Sequence, residues 1–168
     1  MTKYSGKILS NYVDGEFIAS NHSFDNINPV NGQVVCQVSE ANKDIVDRAV
    51  KSAKKALHGE WGNMDVPQRC KILNAVADEI ERRFDDFVAA EVADTGKSYS
   101  QVRNIDIPRG AANFRVFADL IKTRPSQSFE MDTTDGKSAT SYVVNKPIGV
   151  VAVVSPWNLP LLLMTWKV

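Results

Sequence analysis

Cysteine is scarce in this chain: Cys36 and Cys70 are the two it has. They make neither a disulfide framework nor a zinc-ligand pattern, and no metal site is expected. An excess charge of either sign is missing too. Twenty basic residues balance twenty acidic ones, for zero formal net charge. No basic stripe marks a face for nucleic acid, so no nucleic-acid partner is expected. No segment reaches the run of about eighteen apolar residues that a membrane-spanning helix needs. The opening stretch MTKYSGKILSNYVDGEF has no apolar signal-peptide core, so the expected location is the cytoplasm, with no membrane partner. Asn21-His22-Ser23 is a formal glycosylation sequon that means little without a secretory signal.

What is present begins with hairpin signals. Ile8 to Val13 and Glu16 to Ala19 flank Asp14-Gly15, a pair that tolerates positive φ at both central positions. Asn28-Pro29 and Asn31-Gly32 form a second turn before a strand in which Val34, Cys36 and Val38 alternate with Gln33, Val35 and Gln37. Three helical stretches follow. Asn42 caps a helix whose Ile45, Val46, Ala49, Val50, Ala53 and Leu57 recur at helical spacing up to Gly59. Asp65 and Gln68 form a capping box before Ile72, Leu73, Val76 and Ile80, with Phe84, Phe87 and Val88 continuing that face to Gly96. A third stretch starts near Asp106 and Pro108, carries Phe114, Phe117, Leu120 and Ile121, and ends before Pro125. Ser128 to Asn145 reads as another hairpin around a Thr-Thr-Asp-Gly turn, polar on one face.

The last twenty residues, GVVAVVSPWNLPLLLMTWKV, organise the rest. Val150 to Val154 is an unbroken β-branched run that suits a strand buried on both faces of a parallel sheet. Ser155-Pro156 ends it, and Pro160 opens a helix, because the first helical turn does not use its N–H. Strand, tight loop and helix in this order place the loop where open α/β sheets bind ligands. The final strand predicts that the three helices pack on a sheet rather than on one another.

SPWNLPL after a hydrophobic strand resembles the signature of the NAD(P)-dependent aldehyde dehydrogenases, and the resemblance runs the length of the chain in family order. DIPRGAANFRVFADL (Asp106 to Leu120) and LPLLLMTWKV are similar more narrowly to the 2-hydroxymuconic and 2-aminomuconic semialdehyde dehydrogenases. The resemblance implies an α/β fold: the N-terminal part of a Rossmann-like cofactor domain with a β-hairpin oligomerisation arm. Residues 1–124 would belong to the cofactor domain, 125–147 to the arm, and 148–168 to the first buried strand and helix start of its core. An ordinary surface hairpin is the alternative for the arm. Because family subunits are much longer, and this chain stops inside a helix without a glycine cap, a truncated N-terminal fragment is expected.

Each candidate residue has a plainer alternative beside it. Asn158 would be catalytic, its neutral amide donating to the oxyanion formed when a thiolate attacks an aldehyde; the alternative is a helix cap. Val154, Ser155, Pro156, Trp157 and Asn158 would line the cofactor cleft, with NAD the implied cofactor and NADP left open. Their alternative is a strand end and a core aromatic. Leu162, Leu163 and Trp166 would wall the aldehyde tunnel, or else form core. Arg109 would hold the distal carboxylate of a muconic semialdehyde bidentately; otherwise it is a surface arginine paired with Asp106 or Asp119. Gly96-Lys97-Ser98 ends like a phosphate-binding loop, but Glu91 stands where that loop needs glycine, leaving a helix stop with a charged tail.

The resemblance implies NAD-dependent oxidation of a semialdehyde from aromatic ring cleavage, by a homo-oligomer (dimer or tetramer) when full length. The family's nucleophilic cysteine, its water-activating glutamate and its glycine-rich turn all lie beyond Val168, so this chain alone is expected to be inactive. Two rivals remain: a non-catalytic module that associates with full-length subunits, and a fragment with no separate function.

Overall fold

The computed structural model describes residues 4–168. A small mixed sheet comes first. β1 (Ile8–Leu9) runs parallel to β5 (Val34–Ser39), and β4 (Ser23–Ile27) flanks β5 antiparallel on its other edge. β2 (Asn11–Val13) and β3 (Glu16–Ile18) form the hairpin expected around Asp14-Gly15. Both turn residues take positive φ, 53° and 84°, the geometry that matches the strands' own twist. The second turn closes through the Gly32 N–H bonded to the Asn28 carbonyl.

α1 (Lys43–His58) starts at Asn42, whose side chain accepts the Ile45 N–H, and stops at Gly59. A single turn, α2 (Glu60–Asn63), follows. α3 (Val66–Arg82) opens with the expected capping box. The Asp65 carboxylate accepts the Gln68 N–H while the Gln68 side chain accepts the Asp65 N–H. That reciprocal pair satisfies two donors that any helix start leaves open.

Two helical expectations are corrected. Phe84, Phe87 and Val88 do not continue α3. The chain breaks at Arg83 (φ −102°, ψ 25°), and α4 (Phe84–Thr95) runs on to Gly96, which is left-handed at φ 69°. Periodicity misses the break because the apolar spacing stays in phase across one non-helical residue. The third helix starts well before Asp106. The Ser98 hydroxyl accepts the Gln101 N–H, and α5 (Tyr99–Gln101) leads through a π turn (Val102–Asp106) into α6 (Ile107–Lys122). Pro108 accounts for the π turn. It has no N–H to bond back one turn, and its ring crowds the carbonyl there. The Ile107 N–H reaches the Val102 carbonyl instead, five residues back, which inserts one residue into the helix.

Ala77, Ile80, Val88, Val102, Ile107, Ala111 and Phe114 make the core, so it is shared by α3, α4, the π turn and α6. α3, α4 and α6 therefore pack on one another, contrary to the expectation of a covering sheet. α1 lies instead against the β2–β3 hairpin through Arg48–Glu16 and Ser52–Asp14. The mixed sheet docks at the end of α4. A Cβ on Gly96 would lie 2.8 Å from Pro29 Cγ, and the Asn26 amide donates to Asp94 at 2.7 Å.

β6 (Ser128–Asp132) and β7 (Ser138–Tyr142) form the later hairpin, and its Phe129, Met131 and Tyr142 are exposed. The strand expected over Val150–Val154 is not formed. The segment pairs with no strand among the described residues, and Val154 is 88% exposed. A strand exists only through bonds to a neighbour, and none lies alongside this one. α7 (Pro160–Met164) then begins at Pro160, as expected. No helix among the described residues is long and apolar enough to cross a membrane.

Candidate functional site

The site residues gather where α7 lies on α6. Gly110 makes this close approach possible, because a Cβ there would sit 2.8 Å from both Cγ and Cδ2 of Leu161. One turn further along, the Asn113 amide donates to Thr165 Oγ1 at 2.9 Å. Thr165 Oγ1 in turn donates to the Leu162 carbonyl at 2.7 Å. Thr165 and Leu162 are both buried. Two fixed points on one short helix leave the loop in front of it little freedom to swing.

That loop is Ser155 to Leu159. Asn158 is exposed, and its side-chain amide has no hydrogen-bond partner among the described residues. The cap alternative fails, since the residue at the helix start is Leu159, which makes no side-chain cap bond. Trp157 is 84% exposed, so it is not a core aromatic either. Ser155 Oγ is buried without a hydrogen-bond partner. An orphaned buried hydroxyl is costly unless something completes it. Pro156 and Val154 are exposed along the same stretch.

Arg109 leaves α6 one residue before Gly110. It is exposed and forms no ion pair among the described residues. The carboxylates that the plainer alternative assigned to it are taken: Asp106 pairs with Lys97 and Asp119 with Lys122. The guanidinium is permanently charged and open to an external acid. Leu162, Leu163 and Trp166 do not share one environment. Leu162 is buried, Leu163 is half-buried, and Trp166 is exposed over a shallow groove with Phe117, Leu120 and Ile121. Within this chain Leu162 is 2% exposed.

Sequence reasoning missed the cluster beneath these residues. Lys97 is no solvated tail. Its Nζ lies 2.6 Å from Glu91 Oε1 and 2.5 Å from Asp106 Oδ2. Glu91 and Asp106 are buried, at 5% and 1% exposure. Burial pushes the Glu91 carboxyl above the usual carboxylate range, a shift that Lys97 only partly opposes. The two carboxylates hold the Lys97 ammonium above its ordinary value despite desolvation, which acts the other way. The signal was available: Glu91 shares the inner face of α4 with Phe87 and Val88, and Asp106 falls in phase with Val102 and Gly110. A carboxylate on an apolar face calls for a buried cation.

The model of the aldehyde dehydrogenase family matches residues 17–168. The 2-hydroxymuconic semialdehyde dehydrogenase of Pseudomonas sp. (strain CF600) is 54% identical over 164 residues, covering 96% of this chain and 34% of that protein. A 2-aminomuconic 6-semialdehyde dehydrogenase of Pseudomonas sp. is 52% identical over 162 residues, with 96% and 33% covered. Among solved structures, an NAD+ complex of aldehyde dehydrogenase from Bacillus cereus agrees with a TM-score of 0.87 at 30% identity, over 95% of this chain and 32% of that one. The chain spans about a third of the length of the curated relatives it matches. The fold is that of the N-terminal part of these enzymes, and the chain belongs to the aldehyde dehydrogenase family.

Proposed function

We propose that the intact protein oxidises a muconic semialdehyde from aromatic ring cleavage to the dicarboxylate. The route is a cysteine thioester formed outside this stretch and then hydrolysed. NAD+, or NADP+ in its place, supplies the hydride acceptor. The observation that carries the reading is the unpartnered Asn158 amide on a loop pinned from behind by Gly110 and Asn113. A neutral donor fixed in place stabilises an oxyanion without titrating or reorganising as charge develops. Arg109, free of internal carboxylates, binds the acid group at the far end of the substrate. Val154, Ser155, Pro156 and Trp157 form one wall of the cofactor cleft.

The names of the relatives support the substrate class, and the exposed hairpin over 125–147 supports an arm that joins subunits into a cytoplasmic dimer or tetramer. In the isolated chain Cys36 and Cys70 are buried, and neither serves as the nucleophile. The test is steady-state NADH formation by the intact protein with 2-hydroxymuconic semialdehyde and with an uncharged aliphatic aldehyde. The expected kcat/KM favours the carboxylated substrate by about tenfold or more, the scale of one charge-assisted hydrogen-bonded pair. Equal values for the two would overturn the carboxylate reading.

A further inference from the structure

Lys97 touches both halves of the site through its two buried carboxylates. Asp106 closes the π turn and stands one helical turn before Arg109. Glu91 faces the start of α7, where Leu161 stands three residues beyond Asn158. Glu91 and Leu161 also line one apolar cleft with Pro160 and Met164. The ammonium therefore bridges α4 and the start of α6, and its partner Glu91 lies against the start of α7. Among the described residues, Lys97 is the ion-pair partner of each carboxylate and neither has another.

We propose that Lys97 is a positioning residue that sets the separation of Asn158 and Arg109 by holding Glu91 and Asp106 on one ammonium. The inference rests on reading Asn158 as the oxyanion donor and Arg109 as the carboxylate clamp. Neither of those side chains is held by a contact of its own, so their placement depends wholly on the backbone beneath them. A semialdehyde has a set distance between its acid and its aldehyde carbon. A clamp shifted by an ångström presents that carbon off line, and such an error costs on the order of 100-fold in rate. Stability alone does not call for this arrangement, since apolar residues of similar volume often replace buried ion pairs at no loss. The π turn makes the angular phase of Arg109 depend on Asp106: if the turn relaxed, every residue after Pro108 would rotate about the helix axis relative to α4.

The two ion pairs predict two separable defects in the intact protein. Asp106→Asn loosens only the α6 side. It should raise KM about tenfold for 2-hydroxymuconic semialdehyde and leave both constants for an uncharged aldehyde unchanged. Glu91→Gln loosens only the α7 side. It should lower kcat about tenfold for both substrates and leave their KM ratio alone. Lys97→Met should combine the two defects. Asn and Gln are near-isosteric with the acids they replace, so those two variants carry the test even if Lys97→Met does not fold. Equal melting temperatures confirm that folded protein is being compared. A parallel loss on both substrates in Asp106→Asn would reduce the cluster to a structural role and overturn the proposal, as would unchanged kinetics in both variants. Arg109→Ala and Asn158→Ala, assayed alongside, separate the levels. If these two show no substrate-selective difference, the underlying reading of the site fails. If they do and the cluster variants do not follow them, the positioning role alone fails.

Discussion

Gly110 and Leu161 meet so closely that a single methyl group on Gly110 would lie 2.8 Å from Leu161 Cγ. This contact sets α7, and with it Asn158, against the helix that carries Arg109. Gly110→Ala brings two opposed effects. Alanine favours the helix by about 0.5–1 kcal/mol over glycine, while forcing a carbon into a filled contact costs about 1–3 kcal/mol. We expect a small net change in melting temperature but a several-fold drop in kcat in the intact protein, because the strain is relieved by moving α7. Adding Leu161→Ala should restore part of that kcat. If the double variant is slower than Gly110→Ala alone, the contact does not govern the loop.

Asn158→Ala and Arg109→Ala should fail in different ways. The oxyanion exists only after the thiolate attacks, so loss of the Asn158 amide lowers kcat by about 100-fold or more for every aldehyde. The distal carboxylate is charged before and during reaction, so loss of Arg109 raises KM, and only for carboxylated substrates. An uncharged aldehyde is the discriminating substrate. An equal slowing of both substrates by Arg109→Ala would make Arg109 structural.

Lys97→Met leaves two buried carboxylates without their cation. Removing one partner of a buried ion pair costs about 3–5 kcal/mol. Chemical denaturation of the intact protein should show a loss of that size. A loss below about 1 kcal/mol, the worth of an exposed pair, would mean that water reaches the cluster.

The same cluster sets a pH dependence with two limbs, each a loss of stability as pH rises. Glu91 is held above the ordinary carboxylate range by burial. Its contribution is therefore full at acid pH and is lost as pH rises through the raised value. Lys97 is raised as well, so its contribution persists to the ordinary lysine range and is lost only above it, as pH rises through the raised value. Glu91→Gln should flatten the acid limb and leave the alkaline loss. The check is the denaturant midpoint across pH for both proteins. An unchanged acid limb in Glu91→Gln would assign it to other carboxylates.

The isolated chain should neither form NADH from aldehydes nor stay monodisperse. Ile148, Val154 and Trp157 are 93%, 88% and 84% exposed along one unpaired stretch, and such an edge pairs readily with other chains. Light scattering and an NADH assay on the purified chain check both statements. Turnover abolished by alkylation would contradict the first, and a monomer with a sharp cooperative melt the second.

Much of this protein was legible in its residues because the controlling interactions are local. The Asn42 cap, the Asp65–Gln68 box, the Asp14-Gly15 turn and the Gly96 stop each act within one turn of chain, where a side chain meets backbone at a fixed spacing. SPWNLPL and DIPRG carried the family for a similar reason, being contiguous. Tertiary structure decided the rest. The partners of Lys97 lie on different helices, Gly110 is small for the sake of Leu161, and Asn113 finds Thr165 from 52 residues away. Val150 to Val154 has every local property of a strand and is not one here. A helix closes its hydrogen bonds within its own segment, whereas a strand takes them from another, and what that other segment is cannot be read from the strand itself.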